Sequence, residues 1–262
     1  MLSAIGAAAL CAFDPEATDS MSLSTEKTET VPLIDDELDV LEELVPLSGL
    51  DIIELGCGAA ALARKLLLRH PDSRVTGLEV DARQHAKNLA APQAGLHLMA
   101  GVAQAIPFAD ASLGLVLMLK SLHHVPMPLM AQALAETARV LRPGGHLYVS
   151  EPVYAGPFNE LIRLFNDEGL VRAAAQAAVD AALLTGCWQQ VAERRFQTPV
   201  TFTDFDDFEQ RLMRPTFADH RIDDAMLAAV RAAFEPHLGT RSANTAGAYF
   251  DRPMHVRLLR RT

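Results

Sequence analysis

The chain has 262 residues, a formal net charge of -10 and a pI near 5.3. That length suits one domain with an elaboration and buries a large core. The acidic balance excludes a general nucleic-acid binder, because neutralising phosphates takes clustered Lys and Arg, and the short basic runs at 194–195 and 257–261 read as solvated surface.

Residues 1–34 read as a flexible N-terminal arm, and residues 35–262 as the folded domain. Residues 2–12 are apolar, but no Lys or Arg precedes them and the run is too short for a bilayer, so neither a secretory signal nor membrane insertion is expected. Residues 1–20 are expected to be a disordered extension or a misassigned start, with Met21 opening a polar N-terminus. Cys11, Cys57 and Cys187 are an odd set without metal-ligand spacing, which points to a reducing compartment and a cytoplasmic location.

Residues 36–45 place Leu38, Leu41, Leu44 and Val45 at helical spacing, and Pro46 and Gly49 end that helix. An alternation follows. Strands are expected at 51–55, 74–79, 96–100, 113–119 and 146–150, with helices at 59–70, 82–91 and 129–141 and a turn at 142–145. Strands alternating with helices at this spacing make an α/β fold, a Rossmann-like doubly wound, mostly parallel sheet with helices on both faces. Beyond residue 151 the expectation is a helix from Pro157, an Ala-rich helix over 170–185, a strand at 194–203, helices at 204–214 and 222–235, a loop at 239–247 and a last strand at 253–260. Asp204, Asp206 and Asp207 read as an acidic helix start rather than a metal site, and no metal is expected anywhere. Phe202, Phe205 and Phe208 read as core.

The most informative stretch is DIIELGCGAAA at 51–61. A buried strand end, a turn with Gly56 and Gly58, and a helix in that order aim backbone N–H groups at a nucleotide-like ligand. Glu54, two residues before the first glycine, would repel a pyrophosphate and suits a ligand that is cationic there. Cys57 lies in the turn, where its small size explains it.

The motifs IELGCGAA at 53–60, VTGLEVD at 75–81, AQAIPF at 103–108, SLHHV at 121–125 and ARVLRPGGHLYVSEP at 138–152 occur in order. With them the chain resembles class I S-adenosylmethionine-dependent methyltransferases, in particular the small-molecule group typified by ubiquinone-biosynthesis-like enzymes. The resemblance covers about residues 35–152. It implies a seven-stranded sheet with an antiparallel last strand, a helical insertion before the sixth strand (152–190, a candidate lid), S-adenosylmethionine as cofactor and a small-molecule acceptor. It also implies cofactor contacts from Glu54, Gly56, Cys57, Gly58, Glu79, Val80, Val102, Ala103 and Lys120. Glu54 would face the methionine end and Glu79 the ribose hydroxyls. The family usually has a third glycine at Ala60, an aspartate at Val102 and an acidic residue at Gly114. Val102 leaves adenine to backbone groups and to apolar walls such as Val80, Ile106 and Phe108.

In a doubly wound sheet the crevice lies beyond the strands' carboxyl ends, where strand order reverses. Lys120, Ser121, His123 and His124 follow the fourth strand, so they belong near the cofactor or the acceptor. Methyl transfer is an in-line displacement that asks mainly for alignment, and a base is needed only if the acceptor must lose a proton. His124 and His123 are the candidate catalytic bases, His124 first, because imidazole titrates near neutrality. Lys120, His124, Glu151 and Tyr154 are the candidate acceptor contacts.

Two other readings use the same motifs. Val102 and Gly114 suit a catalytically silent binding or scaffold protein on this fold. The pattern Gly56-x-Gly58-x-x-Ala61 also fits a nicotinamide oxidoreductase, but Glu54 and the lack of a Tyr-x-x-x-Lys pair argue against it. Nothing in the sequence selects an oligomeric state.

Overall fold

The computed structural model describes residues 31–215, 220–239 and 247–262. The expected arm falls outside the described residues up to position 30, and most of the expected loop at 239–247 does too. The described end of the arm is held in place: Leu33 bridges Gln197, and Ile34 donates its N–H to the Gln197 carbonyl at 2.8 Å.

One sheet organises the rest. Its strands are β1 (Asp51–Leu55), β2 (Arg74–Glu79), β3 (Leu96–Ala100), β4 (Leu113–Leu119), β5 (Leu141–Pro152), β6 (Trp188–Phe202) and β7 (Ala248–Arg261). They lie in the order β3-β2-β1-β4-β5-β7-β6. The first five are parallel, and β7 runs antiparallel between β5 and β6. Strand order reverses between β1 and β4, so the crevice opens at their carboxyl ends.

Both faces of the central strands are buried, which accounts for their continuous apolar runs. Ile52, Leu115 and Leu117 face one layer, with α1 (Glu37–Leu44) and α2 (Ala61–Arg69). Ile53, Val116 and Met118 face the other, with α4 (Met130–Val140) and α6 (Gly169–Leu183). Between these helices in sequence, α3 (Ala82–Leu89) packs at the β2–β3 edge, and α5 (Pro157–Ile162) opens the insertion. Asp36 caps α1 and Asp81 caps α3 through their side chains.

The later strands are longer than expected. β6 and β7 form a hairpin whose far half extends beyond β5. There Phe202, Phe205, Phe208, Phe234 and Phe250 build a separate small core with α7 (Phe205–Phe208) and α8 (Asp224–Phe234). Asp204 accepts the Asp207 N–H at 2.8 Å, so the acidic run is a helix cap. Helix α7 lasts one turn before a π-turn at Glu209–Met213, shorter than the helix expected over 204–214.

The expected turn at 142–145 is a bulge inside β5. Leu141 pairs with Leu113 and His146 with Leu115, so four residues lie opposite Gly114. A Cβ on Gly114 would sit 3.0 Å from Arg142 Nη2, and one on Gly145 would sit 2.9 Å from the Arg142 carbonyl. Gly114 therefore answers to packing at the amino end of β4. Its departure from the family pattern lies at the opposite end of the strand from the crevice.

Candidate active site

The turn after β1 is held by β2. Gly56 and Cys57 donate their N–H groups to the Leu78 carbonyl at 2.9 and 3.1 Å. Gly56 has φ +68°, and a Cβ there would lie 2.9 Å from the Ser121 Cβ, so only glycine fits. A Cβ on Gly58 would meet nothing within 4 Å, which leaves open space beside the turn. Gly58 gives its N–H to Glu79 Oε2 at 2.7 Å, and Asp81 gives its own to Glu79 Oε1 at 2.9 Å. Glu79 thus braces the turn and keeps a further lone pair on each oxygen.

Glu54 ends up buried, 5% exposed, and its Oε2 has no hydrogen-bond partner. Burial pushes its carboxyl up to about 8, against the opposing pull of Lys120 and of the Ala63 N–H, while Glu37 and Glu79 add repulsion. Lys120 follows β4 in a left-handed conformation, φ +54°, and its Nζ pairs with Glu37 Oε2 at 3.0 Å. Glu37 also accepts from the Tyr148 hydroxyl at 3.4 Å. The first turn of α1 therefore closes over the ends of β1 and β4. Glu37 had no mark in the sequence beyond an acidic helix start.

The two histidines lie in a 3-10 turn, Leu122–His124. Glu151 Oε1 accepts the Leu122 N–H at 2.9 Å, and Oε2 takes His123 Nδ1. The pair is buried, and His123 Nε2 faces Glu168 Oε2, 3.8 Å away. His124 is exposed at the mouth, with its ring 4.1 Å from that of His123. Lost solvation and then the adjacent His123 hold its pKa below the ordinary histidine value, which favours the neutral, proton-accepting imidazole. Glu168 was not legible in the sequence, because it lies in the insertion and reaches the histidines only through the packing of α6.

His123, His124 and Glu168 offer three possible metal-ligand atoms within 4.8 Å of one another, a carboxylate juxtaposition that sequence spacing did not foretell. Arg172 argues against a cation here. Its Nη2 donates to the same Glu168 Oε2 at 2.6 Å and already neutralises that oxygen.

Two expected acceptor contacts have partners within the chain. Both Glu151 oxygens are engaged below the surface, one with the Leu122 N–H and one with His123 Nδ1. Tyr154 is 38% exposed, and its hydroxyl donates to Asp167 Oδ1 at 2.8 Å, tying down the loop before α6. The remaining candidates cluster as expected at the strand ends. Val80 is 70% exposed at the end of β2, and Val102 and Ala103 lie beyond β3, where Val102 bridges Ala105. Cys57 is buried and its thiol is pushed up to about 12, first by burial, so it has no nucleophilic character.

These residues fit S-adenosylmethionine. The buried Glu54 Oε2 has no partner and asks for a cation, which the ligand's methionine end carries. The open space at Gly58 admits close approach, Glu79 has free lone pairs for ribose hydroxyls, and Val80 presents an apolar face for adenine.

Residues 53–149 match a family described as the methyltransferase domain. The chain is 32% identical over 145 residues to an O-methyltransferase of Aspergillus nomiae, covering 53% of this chain and 59% of that protein. It is 34% identical over 119 residues to a ubiquinone/menaquinone biosynthesis C-methyltransferase of Paracoccus denitrificans, covering 43% of this chain and 46% of that one. The chain thus spans about half the length of these relatives. In fold it is similar to the YcgJ protein of Bacillus subtilis, with TM-score 0.58 and 18% identity over 86% of this chain and 97% of that one. Among the described residues no helix is long and apolar enough to cross a membrane. Residues 53–149 thus match the methyltransferase domain in sequence, and the strand order and the braced glycine turn set them on the doubly wound sheet that the chain shares with the YcgJ protein.

Proposed function

We propose that this protein transfers a methyl group from S-adenosylmethionine to a small-molecule acceptor. The observation that carries the reading is the buried Glu54 carboxyl, its Oε2 without a partner, at the strand-order reversal, beside a glycine turn braced by Glu79. When bound, the cofactor supplies an electrophilic methyl group on a sulfonium whose departure leaves a neutral thioether.

The chain's own residues would do the rest. Glu54 supplies the negative charge that holds a cationic ligand, and Lys120 limits the cost of keeping that charge buried. Glu79, Gly56, Cys57 and Gly58 hold the turn, with Val80, Val102 and Ala103 as the wall beyond β2 and β3. His124 accepts the acceptor's proton on its imidazole where the accepting atom must lose one. His123, fixed by Glu151 and facing Glu168, is the second candidate base and sets the orientation of the 3-10 turn. Lys120 and His124 remain the proposed acceptor contacts. The insertion at 152–190 serves as the cover on the acceptor side, which is supported by Glu168, which faces His123 and is held by Arg172. A cytoplasmic location is supported by free Cys57 and Cys187.

The test is calorimetric titration of S-adenosylmethionine and S-adenosylhomocysteine, followed by an acceptor screen with labelled methyl donor. Micromolar binding of both, weakened in Glu79→Ala, with transfer to at least one acceptor, is expected. Well-folded protein that binds neither would turn the reading to a catalytically silent scaffold.

A further inference from the structure

Arg172, Asn159 and Arg252 are three donor side chains to which the steps above give no contact with the acceptor. Arg172 on α6 donates Nη1 to Asn159 Oδ1 at 3.1 Å, and its Nε and Nη2 go to Glu168. With Oδ1 so engaged, Asn159 points Nδ2 away from Arg172. That residue is 6% exposed, and Nδ2 has no partner. Arg252 on β7 is the third. Its Nε is buried without a partner, and its Cζ lies 6.0 Å from the centre of the Phe158 ring, the residue next to Asn159.

The charges near Arg252 do not cancel it. Glu168 is matched by Arg172, and Glu37 by Lys120. Arg252 feels the attraction of Glu37 and the repulsion of Arg172, and burial lowers its pKa, yet no carboxylate among the described residues lies within ion-pair distance of it. A guanidinium stays protonated, so one positive charge and two donors remain without partners.

We propose that Arg252 and Asn159 form a subsite for a carboxylate on the methyl acceptor, which makes the substrate class a small monoanionic carboxylic acid. The rigid guanidinium fork matches the two oxygens of a carboxylate. One uncancelled charge suits a monoanion, and Glu168 and Glu37 nearby repel a second negative charge. The inference rests on the methyltransferase reading above.

The experiment loads the full chain with S-adenosylhomocysteine and titrates it with benzoate and, separately, with benzamide. Benzoate is expected to bind at least tenfold tighter than benzamide. That preference is expected to fall below threefold in Arg252→Gln, with S-adenosylhomocysteine affinity retained as the sign of a folded site. Arg252→Lys, which keeps the charge but loses the fork, is the second variant and is expected to cut the preference at least threefold. Equal binding of the two probes to the wild type, or a preference that survives in either folded variant, overturns the subsite alone. Failure of the wild type to bind S-adenosylhomocysteine removes the methyltransferase reading and the subsite with it.

Discussion

The N–H of Gly58 donates to Glu79 Oε2 at 2.7 Å, so two segments 21 residues apart are already joined before any ligand is considered. Glu79 also takes the Asp81 N–H, so one carboxylate sets both the glycine turn and the start of α3. Glu79→Ala leaves two backbone donors without their acceptor. Each buried donor costs about 1–3 kcal/mol. The variant should unfold at lower denaturant and bind S-adenosylhomocysteine at least tenfold more weakly. Unchanged stability with lost binding would mean that Glu79 acts on the ligand alone.

Gly56 is required twice over, by φ +68° and by the 2.9 Å approach of a Cβ to Ser121. Gly56→Ala should cost about 1–2 kcal/mol from the left-handed backbone alone, with the clash added. Gly56→Ala combined with Ser121→Gly should recover only the clash part. Full recovery in the double variant, measured by chemical denaturation, would show that the backbone conformation adjusts freely.

Glu54 makes a prediction about pH. Its folded carboxyl is held near 8 against an ordinary 4.5. An acid raised in this way favours the fold below 4.5, and the advantage drains away as pH climbs through about 8. Ligand-free protein should therefore lose stability between pH 5 and 8 by up to about 1.4 kcal/mol per unit from this group. The slope should flatten in Glu54→Gln. S-adenosylmethionine affinity should run the other way and rise by up to about tenfold per unit from pH 5.5 to 7, because a cation needs the ionised form. Identical pH slopes in wild type and Glu54→Gln would remove Glu54 from both effects.

The histidines should separate. His124→Ala should lower methyl transfer to a proton-losing acceptor by about 10²–10⁴-fold while leaving S-adenosylhomocysteine affinity intact. Glu151→Ala strips His123 of its buried partner and should cost about 3–5 kcal/mol of stability. A Glu151→Ala protein as stable as the wild type would contradict the buried pairing.

Much of the crevice was legible because its residues are sequence neighbours of strand ends. The alternation of apolar strands and Ala/Leu helices determined a doubly wound sheet, and the sheet's strand order places Gly56, Glu79 and Lys120 at one end. Local chemistry likewise marked Asp204 at a helix start, since a cap acts within three residues of itself. The lengths of β6 and β7 were less legible, because a two-stranded extension takes its apolar pattern from the phenylalanine cluster beneath it rather than from the main sheet.

What only tertiary structure decided is the set of partners. Glu37 on Lys120, Glu151 on His123, Glu168 facing His123 and Arg172 on Asn159 join residues 13 to 83 positions apart. Charge pairing at such separations leaves no periodic trace, since any carboxylate in the chain could serve until packing brings one within reach. The sequence by itself determined the fold class and the glycine turn at the crevice. The packing of α1, α5 and α6 determined which charges pair with each other and which atoms, like Glu54 Oε2 and Arg252 Nε, have no partner within the chain.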